Sequence, residues 1–312
     1  MKTLFIVGAT ATGKTDLALS LVPVFRAFPQ VTGVDILSAD SKQVYIGQDI
    51  VTGKDTEKYT DVNVFGIDVV RPSEEWSVAH FITYAHDVFK GAQEKKRAVI
   101  VVGGTGLYLS SLLSPPATAH IPRNSELRER IETLSVKELQ LLLQKLDPKR
   151  YASMNTSDNQ NSRRLVRAIE VASSGVLLPP QHLEMNDAFF IGLTCKADLL
   201  QERIRARVIK RLDMGALKEG EILQQTYGDR WTKEAHSAIG YSEIESFLTG
   251  EISREKLVDL WTLHEVQYAK RQLQWFNSMK EIHWFSALDA NVQEKIAMRV
   301  KDWYTHSQDG NR

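Results

Sequence analysis

With 312 residues, 43% of them hydrophobic and 25% charged, the chain has the composition of a soluble globular protein and enough length for two lobes. Lysine and arginine balance aspartate and glutamate at 39 each, which argues against a surface that coats nucleic acid throughout but leaves room for a local basic groove. The single cysteine, Cys195, excludes an internal disulfide framework and a cysteine-cluster zinc site, and no run approaches the roughly 18 apolar residues of a membrane span. We therefore read the chain as cytoplasmic, with Cys195 a small buried hydrophobe at a strand end.

The first predicted element is an apolar strand, Leu4 to Val7, followed by GATATGKT and then by Leu17, Leu21 and Val24 at helical spacing. The middle segment, Gly8, Ala9, Thr10, Ala11, Thr12, Gly13, Lys14 and Thr15, has the spacing G-x-x-x-x-G-K-[ST]. Such a loop holds a di- or triphosphate: its N–H groups and the helix N-terminus face the anion, Lys14 adds a point charge, and Thr15 can carry Mg2+.

A second strand, Val34 to Ser38, delivers Asp40 to the carboxyl end of the sheet, where ligands of open parallel sheets sit. The polar stretch from Lys42 to Lys54 reads as a long loop at the mouth of that site. Val62 to Val70 reads as a strand, and Ala79 to Phe89 as a helix capped by Ser73 or Ser77, with Phe81, Ile82, Ala85 and Val88 on one face. Ala98 to Val102 suits a buried parallel strand. The glycine turn after it, Gly103 to Gly106, aims Thr105 at the same crevice.

After Ser114 the character changes. Pro115, Pro116 and Pro122 bound a linker, Asn124 to Lys145 and Arg163 to Ser173 read as amphipathic helices, and Gly175, Pro179 and Pro180 close the stretch. The spacing predicts a helical insertion over residues 116–180 within an α/β core made of residues 1–115 and 181–312. Phe189 to Thr194 resumes the strands. Helices over Arg203 to Leu223, Ser242 to Phe247 and Ser253 to Met279, a strand over Glu281 to Phe285 and a helix over Val292 to Tyr304 follow. The expected fold is thus a P-loop NTPase-like core, a mainly parallel sheet flanked by helices, plus an all-helical insertion. On charge alone, the clusters around Arg163 and Arg207 are solvated helix faces.

A phosphate loop is shared by kinases, ATP-binding NTPases and some transferases. The remaining segments order these choices: GATATGKT, SADSKQVY, VVGGTGLYL, NSRRLVRAIEV, AIGYSEI and YAKRQLQWF occur in the order and spacing of the tRNA dimethylallyltransferase family, which the chain resembles from Gly8 to Phe276. The resemblance implies transfer of a dimethylallyl group from dimethylallyl diphosphate to the N6 of an adenosine beside a tRNA anticodon, with the loop gripping the diphosphate. By the same resemblance Asp40 is the general base, Lys14, Arg207 and Mg2+ on Thr15 stabilise the leaving group, and Thr105 lines the reaction channel. It implies that Asp40, Ser41, Lys42, Gln43 and Thr105 meet the acceptor. It implies that Arg128, Asn161, Ser162, Arg163, Arg164 and Leu165, Ala238, Ile239, Gly240 and Tyr241, and Lys270, Arg271, Gln272 and Trp275 contact the anticodon stem-loop. The chain departs from the family at Arg211, commonly methionine, at Gln274, commonly threonine, and at Val64 to Asp68. The rival readings are an isopentenyltransferase acting on free AMP, ADP or ATP, a small-molecule kinase, and a nucleotide-gated RNA-binding protein. With a complete site in one chain, we expect a monomer.

Overall fold

In the computed structural model, which describes residues 2–119, 121–175 and 187–306, the first apolar run is β1 (Lys2–Gly8), and α1 (Lys14–Arg26) follows the glycine loop. Then come β2 (Gly33–Ser38), β3 (Asn63–Phe65), α2 (Val78–Glu94), β4 (Arg97–Val102) and α3 (Gly106–Leu113). The middle of the chain holds α4 (Ser125–Ile131), α5 (Val136–Leu146), α6 (Pro148–Ser153), α7 (Thr156–Asn159) and α8 (Ser162–Ser174). It continues with β5 (Asp187–Thr194), α9 (Ala197–Asp213), α10 (Ala216–Tyr227), α11 (Lys233–His236), α12 (Tyr241–Leu248), α13 (Arg254–Phe276), β6 (Ile282–Ser286) and α14 (Val292–His306).

The six strands form one parallel sheet in the order β3-β2-β4-β1-β5-β6. β1 sits inside it, with Leu4 opposite Ile100 on one side and Phe5 opposite Phe190 on the other. Alternation divides its side chains between two cores. Leu4 and Ile6 pack under α1 and α14 with Leu21, Phe25 and Val300, while Phe5 and Val7 pack under α2 and α3 with Phe81 and Leu109. Phe5 and Phe190 stack with ring centroids 4.5 Å apart. A third core, around Trp261, joins α9 to α13.

Because every strand runs the same way, the loops after β1, β2 and β4 emerge on one edge. Backbone bonds tie them together: Gly103 N–H donates to the Ile6 carbonyl at 3.2 Å, Ala39 N–H to Val102 at 2.7 Å, and Thr105 N–H to Ala39 at 3.3 Å.

The chain divides into two compact units, one of Met1–Leu113 with Leu183–Arg312 and one of Ser114–His182. The second has its own apolar core of Ile131, Leu139, Leu143, Leu165 and Ile169. At its centre Glu170 accepts two hydrogen bonds from Arg128, at 2.7 and 2.8 Å, one from Arg167 at 3.1 Å and one from Asn124 N–H at 2.9 Å. Burial alone would raise the Glu170 pKa; the hydrogen bonds from Arg128, Asn124 and Arg167 outweigh it and hold the carboxyl at about 2.

Three sequence expectations change. The strand expected over Val62 to Val70 is confined to β3, because positive φ at Gly66 and Asp68, 80° and 54°, turns the chain. The helix expected over Asn124 to Lys145 is two, α4 and α5: Ser135 accepts the Glu138 N–H and Glu138 accepts that of Ser135, a capping box that restarts the helix. The helix expected over Arg203 to Leu223 breaks into α9 and α10 at Gly215, whose φ of 105° an L side chain rarely adopts. Ser77, not Ser73, caps α2. Cys195 is buried just past β5. Pro179 and Pro180 lie outside the described residues.

Candidate active site

The glycine loop wraps back under its own lysine. Gly8 must be glycine: at φ 142° a Cβ would stand 2.4 Å from the Leu193 carbonyl oxygen of the neighbouring strand. Lys14 Nζ donates to the Ala9 carbonyl at 2.7 Å, and Thr12 Oγ1 donates to the same oxygen at 2.9 Å. Thr15, at the start of α1, is half-buried at the cavity wall beside the Tyr59 hydroxyl, and Asp16 pairs with Lys58 at 2.9 Å.

Basic groups gather over the loop from α9. Arg207 donates to the Thr10 hydroxyl and, at 3.2 Å, to Glu265 of α13; Arg211, one turn on, reaches the other Glu265 oxygen at 2.9 Å. Burial and the Arg207 charge push Lys14 down to about 8, and burial with the Arg211 charge pushes Arg207 down to about 10. Burial works against the Glu265 carboxylate, but Arg207 and Arg211 outweigh it and lower its pKa. Around the loop Lys14, Arg207 and Arg211 outnumber Glu265 and Asp40, and an incoming anion supplies the missing negative charge.

Asp40 stands across the same cavity. Its Oδ1 accepts the Lys42 N–H at 2.8 Å, and its charge acts on Lys14, Tyr108 and Tyr268. Burial and then the Asp40 charge raise the Tyr268 phenol far above its ordinary range, so it stays neutral beside Thr105 and Gln272, its hydrogen-bond partners. Thr105, expected to line the reaction channel, accepts the Ser41 N–H on its Oγ1 at 3.1 Å, pinning the residue after Asp40. The cavity holds about 780 Å3 and is lined by the phosphate loop, Asp40, Arg207 and Arg211, and by Ile50 and Gly53 of the loop that follows β2. That volume suits a small organic ligand.

Of the residues expected to touch the acceptor, Gln43 lines the cavity, where it accepts from Ser38 Oγ at 2.9 Å and donates to the Gly53 carbonyl at 3.0 Å; several others are engaged within the protein, as where Lys42 Nζ donates to Glu234 O and Ser237 Oγ. Tyr241 is 2% exposed, packed on Trp231 and bonded to Glu219 at 2.8 Å, so it has no face for a base to stack on. Ala238 and Gly240 are buried with it, Gly240 against Trp261, and only Ile239 of that turn is partly exposed. Leu165 is fully buried in the helical unit's own core, so it makes no ligand contact. Gln272 is buried as a brace: its Oε1 accepts the Thr10 N–H and its Nε2 donates to Gly104 O at 3.0 Å. Arg128 is turned onto Glu170. Asn161, Ser162, Arg163 and Arg164 are exposed, with Asn161 capping α8 and Arg164 paired to Asp158. Lys270, Arg271 and Trp275 are exposed on α13, with the Trp275 indole against Gly106.

The sequence model of the family described as IPP transferase matches residues 43–279, about three quarters of the chain. The tRNA dimethylallyltransferase 2 of Treponema denticola is 35% identical over 283 residues, 88% of this chain and 91% of its own. The chain belongs to the IPP transferase family. A tRNA dimethylallyltransferase of Trichormus variabilis is 34% identical and covers 96% of this chain and 99% of its own length, so the likeness takes in Asp40, which precedes the 43–279 match. Among solved structures, the tRNA isopentenylpyrophosphate transferase of Bacillus halodurans superposes with a TM-score of 0.70 at 31% identity, covering 98% of this chain and 96% of its own. A eukaryotic dimethylallyltransferase shares the fold, with a TM-score of 0.79 at 23% identity over 98% of this chain and 80% of its own.

Within this IPP transferase, the sequence reading passed over Glu265 and Tyr268 and misassigned Gln272. Glu265, Tyr268 and Gln272 stand three and four residues apart on α13, the spacing of one helix face. Polar residues at that spacing, on the face of α13 that carries Trp261, Thr262 and Ala269, were the available signal.

Proposed function

We propose that this protein transfers a dimethylallyl group from dimethylallyl diphosphate to the exocyclic N6 of an adenosine beside the anticodon of tRNA, releasing diphosphate. The observation that carries the reading is one cavity with a cation-rich phosphate loop on one side and Asp40 on the other. Family membership and the names of the relatives support it.

The chemistry follows from that opposition. Lys14, the loop N–H groups and Arg207 hold the diphosphate. As the C1–O bond breaks, its electron pair leaves with the diphosphate, and preorganised cations stabilise that growing charge more than the intact donor. The adenine amino nitrogen forms the new bond to C1. Its proton passes to the Asp40 carboxylate, which also orients the nitrogen. Lys42 N–H holds Asp40, and Thr105 holds the backbone beside it.

Mg2+ belongs to the same proposal. Among the described residues no group of histidine, cysteine or carboxylate side chains could hold a metal alone. The donor set that fits is the Thr15 hydroxyl with diphosphate oxygens and water, which suits a cation that keeps waters and binds through phosphates. Mg2+ there would neutralise charge on the leaving group.

The target base must leave its stack to reach Asp40. We assign the exposed Arg163 and Arg164, and Lys270, Arg271 and Trp275, to the anticodon stem-loop, where phosphate contact and aromatic stacking are the usual means. Phosphate loop, Asp40 and Arg207 all lie in one unit of one chain, which supports a monomer. No helix among the described residues is long and apolar enough to cross a membrane.

The deciding experiment is nucleoside analysis of unmodified tRNA after incubation with dimethylallyl diphosphate and Mg2+. N6-dimethylallyl adenosine in the tRNA is expected. Label entering free AMP alone would sustain the adenylate rival, acceptor-dependent ATP turnover the kinase, and nucleotide-responsive tRNA binding without product the non-enzymatic reading.

A further inference from the structure

Glu219 stands in the first turns of α10, and its carboxylate is committed to one short stretch of backbone. Oε2 accepts the N–H groups of Asp49 at 2.9 Å and Ile50 at 2.6 Å; Oε1 accepts that of Val51 at 3.0 Å and the Tyr241 hydroxyl at 2.8 Å. Three successive N–H groups converging on one point is how backbone binds an anion, and here the anion belongs to the protein. Lys54 secures the same loop from within: its ammonium, 1% exposed, donates to Tyr45 O at 2.7 Å and pairs with Asp49 at 2.6 Å and with Asp68.

The clamped segment is a wall of the cavity. Asp49, Ile50, Thr52 and Gly53 line it, and α9 lies opposite. Arg207 of α9 touches Thr10 of the phosphate loop. Further along, Arg211 presses on Gly53, where a Cβ would stand 2.4 Å from its Nη2, and Gly215 just past the helix approaches the Ile50 side chain. Four and eight helical residues rise about 6 and about 12 Å, so the 50–53 wall meets α9 at that remove from the diphosphate grip. A five-carbon tail stops short of the nearer of these contacts, and a ten-carbon tail passes it.

We propose that Glu219 is a positioning residue that sets the length of prenyl donor the site accepts, by holding residues 49–51 as a fixed wall at the end of the tail. The proposal rests on the donor reading given above. A loop held only by water would yield to a longer tail; one held by a carboxylate on three N–H groups does not.

The test compares wild type, E219Q and E219D with dimethylallyl and geranyl diphosphates as donors and tRNA as acceptor, alongside amide hydrogen exchange of peptides covering residues 49–51. Glutamine faces an N–H group with its own NH2, and aspartate keeps the charge but withdraws it by one methylene. In E219Q we expect those amides to exchange at least about tenfold faster, and the geranyl-to-dimethylallyl ratio of kcat/KM to rise about tenfold, with KM for tRNA unchanged, because hydrogen bonds to a charged group are lost. E219D, which also serves if E219Q does not fold, is expected between E219Q and wild type. Unchanged exchange, unchanged donor ratio, or an equal loss with both donors and with tRNA would overturn the proposal while leaving the donor reading standing. A wild type that prenylates no tRNA would overturn both.

Discussion

The side-chain amide of Gln272 accepts the Thr10 backbone N–H at 2.8 Å, so a helix more than 260 residues away in sequence fixes the crown of the phosphate loop. The same amide donates to Gly104, tying in the second glycine turn. Gln272→Ala leaves the part-buried Thr10 N–H and the buried Gly104 carbonyl without this partner, at a cost of about 1–3 kcal/mol for the buried group. A lower Tm together with a raised KM for the donor is expected in thermal melts and steady-state kinetics. A lower Tm with donor KM unchanged would make Gln272 a packing residue only.

The lowered Lys14 pKa gives the reaction a pH signature. The ammonium form grips diphosphate, and in the free protein that form is lost as pH rises through about 8. The pH profile of kcat/KM for the donor should therefore descend near that pH, and the profile of kcat should descend later, because bound diphosphate favours the charged lysine. Lys14→Arg should move the descending limb upward. A limb that stays in place would assign the titration to another group. The linkage to stability has the opposite sense: with the folded pKa below the unfolded 10.5, the cost of burying the charged group is present below about 8 and is relieved between about 8 and 10.5.

Asp40→Ala should lower turnover by about 100-fold or more, the usual size of general-base catalysis, while tRNA binding persists. Single-turnover kinetics with a gel-shift titration measures both. Near-normal turnover would remove Asp40 from proton transfer.

Arg163 and Arg164 are exposed at the start of α8. Replacing both by alanine should raise the apparent KM for tRNA and flatten its dependence on salt by up to two units of log slope, since each phosphate contact releases counterions. An unchanged slope across a salt titration would return them to the role of a solvated helix face.

Much of this was legible before any coordinates. Strict apolar runs marked β1 and β4, and the loop GATATGKT with Asp40 after the next strand located the cavity, because local spacing and parallel topology determine those features. The capping box Ser135-x-x-Glu138 was also written in the sequence and was passed over in favour of one long amphipathic helix. The failures elsewhere share a cause. Tyr241 and Leu165 sit in segments that resemble acceptor-binding motifs, but burial depends on what distant elements pack against them: Trp231 over Tyr241, and α5 under Leu165. Gln272 and Glu219 act through backbone groups some 170 residues or more away, and no local pattern announces such a partner.

The place of β1 inside the sheet has a consequence for how the chain is made. Its pairing with β4 becomes possible once residue 102 has left the ribosome, but its other flank waits for Asp187 to Thr194. Over that interval the nascent chain exposes an apolar strand with one open edge, while residues 114–182, which carry their own core, can already consolidate. Ribosome-stalled fragments ending before β5 are therefore the species in which chaperone capture and aggregation should concentrate.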